Sequence, residues 1–107
     1  MVNNFTIRVY GIMINGRNEI LVSDEIQNGK RFTKFPGGGL ELGEGTHECL
    51  IREWREELNQ SIKISEHFYT TDFFQQSAFN PTHQVISIYY LVKPLEDFKV
   101  KISTVPF

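Results

Sequence analysis

A chain of 107 residues with 40% hydrophobic residues is sized for one domain, residues 1–107, around one core. Its formal charge of −2 argues against a nucleic-acid partner, for which a clustered basic surface is expected, and no apolar run approaches the roughly 20 residues of a membrane helix. A lone cysteine excludes an intrachain disulfide, and no basic segment precedes an apolar run at the N-terminus, so the expectation is a cytoplasmic protein without membrane contact.

In chain order, residues 5–14 mix β-branched and aromatic side chains and pass through an Asn15-Gly16 turn signal into residues 19–23, which predicts two strands joined by a tight connection. Gln27-Asn28-Gly29-Lys30 marks a second turn, ahead of a short strand at 32–35. Pro36 and the three glycines after it predict a loop poor in side chains, in which backbone groups of Gly37, Gly38 and Gly39 approach a ligand. A helix then begins near Gly45, an acceptable N-cap, with Glu48 at the third helical position as half of a capping box. Residues 62–74 read as a long aromatic-rich strand, 80–83 as a loop, 85–92 as the most apolar and therefore central strand, and 98–102 as one more short strand. One helix among several strands predicts an α+β domain with a mixed sheet.

The helix carries the chemistry. At about 100° per residue, Glu53, Glu56 and Glu57 lie at i, i+3 and i+4 and project from one side. Such like charges lose roughly 0.2–0.5 kcal/mol per pair and, near a helix C-terminus, oppose the macrodipole. A hard divalent cation bound by oxygen offsets that cost, with magnesium favoured where phosphates complete its shell. Leu50, Ile51, Trp54 and Leu58 form a second arc, predicted to be buried, and Glu48, Arg52 and Arg55 a third, open to water. The alternative is a solvated face laced with i, i+4 pairs such as Glu48 with Arg52, but that reading does not account for acids held apart from bases. Cys49, lying among the acids, reads as a small packing residue, since magnesium prefers oxygen.

From Gly38 to Asn59 the chain reads GGLELGEGTHECLIREWREELN, which resembles the Nudix box G-x5-E-x7-R-E-U-x-E-E-x-G-U, U being bulky and apolar, of the MutT-like Nudix hydrolase family. Gly38, Glu44, Arg52, Glu53, Glu56 and Glu57 all stand at the required spacing, over about a fifth of the chain. Asn59 replaces the box glycine, a mild change because asparagine tolerates the left-handed conformation that ends a helix. Gln60 replaces an apolar residue and is expected to anchor the following strand less firmly.

The resemblance implies a layered α/β/α sandwich. Nothing after Val92 has helical period, so its C-terminal helix is missing from this stretch; an incomplete stretch is the expectation, and a homodimer covering an apolar sheet face is the alternative. It further implies Mg²⁺, with Mn²⁺ as a substitute, on Glu53, Glu56, Glu57 and the carbonyl of Gly38, and Arg52 orienting a catalytic glutamate. The implied reaction is cleavage of the pyrophosphate bond of a nucleoside diphosphate linked to another moiety, by a metal-activated water whose proton a glutamate removes, Glu53 if the base lies in the box. A Nudix-like module that binds a nucleotide or protein without hydrolysis is the alternative; such modules commonly lose box carboxylates, which this chain keeps. Lys34 is a candidate for a substrate phosphate, against a solvent-facing role. Phe35, Tyr69, Phe73 and Phe74 are candidates for stacking on a base, against a core role, while His47, His67 and His83 lack ligand spacing.

Overall fold

The computed structural model describes residues 1–98 and 102. Strand β1 (Asn4–Ile12) leads to a hairpin of β2 (Ser23–Gln27) and β3 (Lys30–Lys34), then to β4 (Gly37–Gly39), helix α1 (Thr46–Leu58), β5 (Ile62–Thr70) and β6 (His83–Pro94). The main sheet has the order β4-β1-β6-β5. β1 and β6 run parallel, and the β1–β4 and β5–β6 pairs are antiparallel, so the α+β class and the mixed sheet hold, with β6 internal as its apolar run requires.

Strand parity divides the chemistry of the sheet. On one face Val9, Tyr90 and Val92 join Met13, Ile62 and the helix residues Cys49, Leu50 and Trp54 in a single buried cluster. Trp54 is fully buried, and its indole N–H donates to the Pro36 carbonyl at 3.2 Å, the same oxygen that accepts from Gly11 N at 2.9 Å. Gly11 is required here because a Cβ would stand 2.8 Å from Trp54 Nε1. The helix therefore lies closer to β1 than any side chain at that position permits.

Both ends of α1 are set locally. Gly45 is extended, and its N–H donates to Glu48 Oε1 at 2.9 Å, the expected half of a capping box. Asn59 takes the left-handed conformation at φ 51°, with its N–H on the Arg55 carbonyl. Gln60 is fully buried, so the strand after the helix starts from an enclosed polar residue rather than a loose one. The buried arc is rotated from the predicted one: Cys49 is fully buried while Ile51 is 37% exposed. Cys49 fills the space over the glycine strand, its sulfur 3.5 Å from the Gly39 carbonyl.

Other expectations change with tertiary context. The glycines form strand β4 rather than a free loop, because without side chains they pair directly with Arg8, Val9 and Tyr10. Residues 19–23 give only an isolated bridge, Ile14 to Ile20; the Asn15 side chain accepts from Arg17 N and Glu19 N and closes a loop there, and β2 starts at Ser23. The Asn28–Gly29 turn is as read, with φ of 53° and 75° in the two-residue form that suits hairpin twist. β5 ends at Thr70 after two irregularities in its pairing with β6, which leaves Phe73 and Phe74 exposed. The strand expected at 98–102 lies largely outside the described residues. Among the described residues α1 is the single helix, and no helix is long and apolar enough to cross a membrane. The opposite sheet face is not the apolar surface expected: it carries Thr6, Arg8, Tyr10, Val85, Ser87 and Tyr89 and forms the floor of a cleft.

Because Trp54 fills the space above Gly11, replacing either residue breaks the same contact. Trp54→Ala should cost roughly 3–5 kcal/mol and Gly11→Ala roughly 1–3 kcal/mol, read as a lowered midpoint in urea unfolding. A Gly11→Ala midpoint equal to that of the parent would mean that the helix does not sit on this glycine.

Candidate active site

Arg52 is the centre of the acidic face. Its Nε and Nη2 donate to both oxygens of Glu44, at 3.0 and 2.7 Å, in a bidentate pair. Nη2 also reaches the Gly39 carbonyl at 3.1 Å, and Nη1 donates to Glu53 Oε1 at 2.9 Å and Glu56 Oε2 at 3.3 Å. The helical plot places Arg52 on the watery arc, yet its side chain is only 23% exposed, because the segment before the helix folds back and delivers Glu44 to it. The guanidinium holds the Glu44 carboxyl down, from the ordinary 4.5 to about 2, with help from the Glu41 N–H that donates to it. Glu44 in turn raises the pKa of Arg52.

Glu53 lies over the glycine strand. Its Oε1 is taken by Arg52, and its Oε2 sits where a Cβ on Gly38 would be, 2.1 Å from that position. Any side chain at Gly38 displaces Glu53. Leu40 N donates to Ile7 O and Gly11 N to Pro36 O, so ladder alternation makes Val9–Gly38 a bonded pair and turns the Gly38 carbonyl into the sheet. The backbone oxygen that meets a cation is that of Gly37, which accepts from Lys34 Nζ at 3.2 Å.

Lys34 links the helix to the hairpin. Its ammonium stands 2.9 Å from Glu25 Oε2 and 3.7 Å from Glu57 Oε2. Glu25 and Lys34 are diagonal neighbours across the β2–β3 pair, where Ser23 faces Lys34 and Glu25 faces Phe32. Desolvation between helix and hairpin raises the Glu57 carboxyl above its usual range against the pull of Lys34, and the charges of Glu53 and Glu25 push the same way. Glu25 carries no signal in the sequence, since only the folded hairpin brings it to α1.

Beside Lys34 opens a cleft of about 660 Å³, walled by the hairpin, the opposite sheet face and residues 75–80. Tyr10 and Tyr89 stack on its floor with ring centroids 5.4 Å apart, and Phe35 meets Tyr89 edge-on at 6.0 Å. Of the aromatic candidates, Phe35 lines the cleft while Tyr69, Phe73 and Phe74 do not. His83 lines it too and bonds Thr6 Oγ1 at 2.6 Å; His47 and His67 instead pack edge-on against Tyr90.

The structure thus brings Arg52, Glu53, Glu56, Glu57 and Lys34 to one side of the glycine strand. Glu53 and Glu56 are drawn to Arg52 and Glu57 to Lys34. No three His, Cys, Asp or Glu side chains among the described residues converge on one metal-sized point. The donor chemistry nonetheless fits a hard divalent cation. The available ligands are carboxylates and a peptide oxygen, and a cation, the Lys34 ammonium, already stands among Gly37, Glu25 and Glu57. The neighbouring thiol is no competitor, because burial and the charge of Glu44 push Cys49 up to about 11.

The depressed pKa of Glu44 has a sign that can be checked. Its contribution to stability is complete above the unfolded value of 4.5 and is lost as pH falls toward about 2. The melting-temperature gap between the parent and Glu44→Gln should therefore be constant at neutral pH and close through that acidic window. A gap that stays constant down to the lower limit would mean that Arg52 does not hold Glu44 in the folded protein.

Residues 4–104 match the family model for the NUDIX domain. Over 64 residues the chain is 31% identical to an RNA pyrophosphohydrolase of Orientia tsutsugamushi (strain Boryong), a stretch that is 58% of this chain and 40% of that protein. The chain thus spans less than half the length of the curated relatives it matches. Its structure is similar to that of a MutT protein from Methanosarcina mazei Go1, with a TM-score of 0.77 at 21% identity over 100% of this chain and 75% of that one. It is also similar to an ADP-ribose pyrophosphatase from Streptococcus suis, with a TM-score of 0.63 at 18% identity over 94% and 69% of the two chains. At such identities the likeness is one of fold. With a family match over nearly the whole length and the box residues gathered where α1 meets the glycine strand, this chain belongs to the NUDIX domain family.

Proposed function

We propose that this protein is a metal-dependent pyrophosphohydrolase acting on a nucleoside diphosphate linked to another moiety. The observation that carries the reading is the placement of Glu53: one carboxylate oxygen is fixed by Arg52 and the other lies against Gly38, beside Glu56 and Glu57 on the same helix face. Glu53, Glu56 and Glu57 would hold Mg²⁺, or Mn²⁺ in its place, with the Gly37 carbonyl as the backbone donor. The chemistry such an ion supplies is neutralisation of the pyrophosphate charge and a lowered pKa for a water. If the base lies in the box it is Glu53, whose Oε2, the oxygen that Arg52 leaves open, would then accept the proton of the attacking water while Glu56 and Glu57 hold the ion. Arg52 keeps that carboxylate from rotating, so its contribution is orientation. Lys34, which stands at the rim of the cleft beside Glu57 and the Gly37 carbonyl, would meet a substrate phosphate. The cleft beside it, with Tyr10, Tyr89 and Phe35, has the size and ring surface for a nucleoside.

The names of the similar proteins support a pyrophosphate substrate and widen its class from ADP-ribose to RNA. A cytoplasmic location is the companion expectation, from the single buried, unpaired Cys49. The decisive experiment is a hydrolysis screen of nucleoside triphosphates, nucleotide sugars, ADP-ribose and a 5′-triphosphorylated RNA, each with magnesium and with manganese. Turnover of at least one of them should fall about 10²–10⁴-fold in Glu53→Gln, with the fold retained. Unchanged turnover in that variant would remove Glu53 from the reaction. Independently of turnover, manganese binding followed by titration should weaken in Glu56→Gln and in Glu57→Gln. Equal affinity in the parent and both variants would place any metal elsewhere.

A further inference from the structure

The cleft contains a guanidinium that has no carboxylate within ion-pair distance among the described residues. Arg8 projects from β1 onto the cleft floor, on the face opposite α1. Its Nε donates to Tyr10 Oη at 2.6 Å, and its guanidinium carbon lies 5.6 Å from the centre of the Tyr10 ring, so the side chain is held at one edge. The other edge, with both terminal amino groups, has no hydrogen-bond acceptor and no carboxylate at ion-pair distance among the described residues; Glu57, across Lys34, feels its charge only from farther away. Every other charge on the cleft wall is matched: Lys34 is paired with Glu25. Among the described residues the cleft lining therefore carries one positive charge in excess, in a chain whose formal charge is −2.

A guanidinium fixed through Nε presents its remaining N–H donors as a planar fork, a shape matched by two oxygens of a phosphoryl group. Nη1 points back toward the glycine strand, 3.9 Å from the position a Cβ on Gly39 would take. The fork thus lies between the stacked tyrosines and the strand that borders the acids. We propose that Arg8 is an anion subsite of the cleft, taking a phosphoryl group of the substrate while Tyr10 holds the guanidinium in place. This rests on the hydrolase reading above for the identity of the substrate, though not for the existence of the subsite. Tyr10 is a positioning residue in this scheme, acting through Arg8.

Two measurements separate the two ideas. The first is equilibrium binding of inorganic pyrophosphate and of ADP, without divalent ions, to the parent, Arg8→Gln, Arg8→Lys and Tyr10→Phe. Arg8→Gln should weaken both ligands about 10- to 100-fold, the loss expected for charge-assisted hydrogen bonds. Arg8→Lys should restore only part of that affinity, because lysine keeps the charge without the fork. Tyr10→Phe should lie between Arg8→Gln and the parent. Adenosine, which lacks phosphate, should bind the parent and Arg8→Gln alike, and melting curves of the variants should overlay. The second is steady-state kinetics on whichever substrate the screen identifies, where Arg8→Gln should raise KM more than it lowers kcat. Binding of pyrophosphate and ADP within twofold of the parent in Arg8→Gln, or no binding of either to the parent, would overturn the subsite. Arg8-dependent binding in a protein that hydrolyses nothing would keep the subsite and sink the hydrolase reading.

Discussion

Everything in this domain depends on how closely α1 lies on the sheet. Two glycines on adjacent strands set that distance: a Cβ on Gly11 would meet the Trp54 ring at 2.8 Å, and one on Gly38 would meet the Glu53 carboxylate at 2.1 Å. The first contact belongs to the core and the second to the site, one helical turn being shared between them. Side chains at i and i+1 point about 100° apart, so the same close approach that buries Trp54 brings Glu53 to the edge of the glycine strand. Packing and chemistry are therefore not separable here.

Electrostatics then determines what the acids do. One guanidinium, that of Arg52, faces Glu44, Glu53, Glu56 and Glu41 within ion-pair distance. Isolated exposed pairs of this kind contribute only about 0–1 kcal/mol each, so the value of the network lies in geometry. The bidentate bond to Glu44 and the link to the Gly39 carbonyl leave the Arg52 fork with one orientation, and Glu53 is fixed against it. At the other pole Lys34 balances Glu25 and Glu57. Four carboxylates against one arginine and two against one lysine leave the face strongly negative, which is the condition under which a hard cation is drawn in.

Strand parity separates this negative face from a positive one. Odd-numbered positions of β1 look toward α1, whereas Thr6, Arg8 and Tyr10 look into the cleft, and the parallel register with β6 places Val85, Ser87 and Tyr89 beside them. Lys34, at the end of the hairpin, belongs to both surfaces, since it lines the cleft and touches Gly37 and Glu57.

Local chemistry is what the chain alone determined. The spacing of Glu53, Glu56 and Glu57, the Gly45 and Glu48 start of the helix, the left-handed Asn59 at its end and the Asn28–Gly29 turn all depend on residues within one or two turns of each other, so their signals survive in a linear string. The same holds for the apolar β6, whose composition alone marks it as internal. What required the tertiary structure were relations between distant segments. The glycines became a strand only because β1 lies beside them; Cys49 rather than Ile51 is buried because β4 passes beneath it; Glu25 reaches Lys34 and Glu57 only through the folded hairpin. Arg8 in particular has no motif around it. Its place on the cleft floor follows from the parity and register of β1 against β6, which are fixed by contacts more than seventy residues apart in the chain and so leave no mark near Arg8 itself.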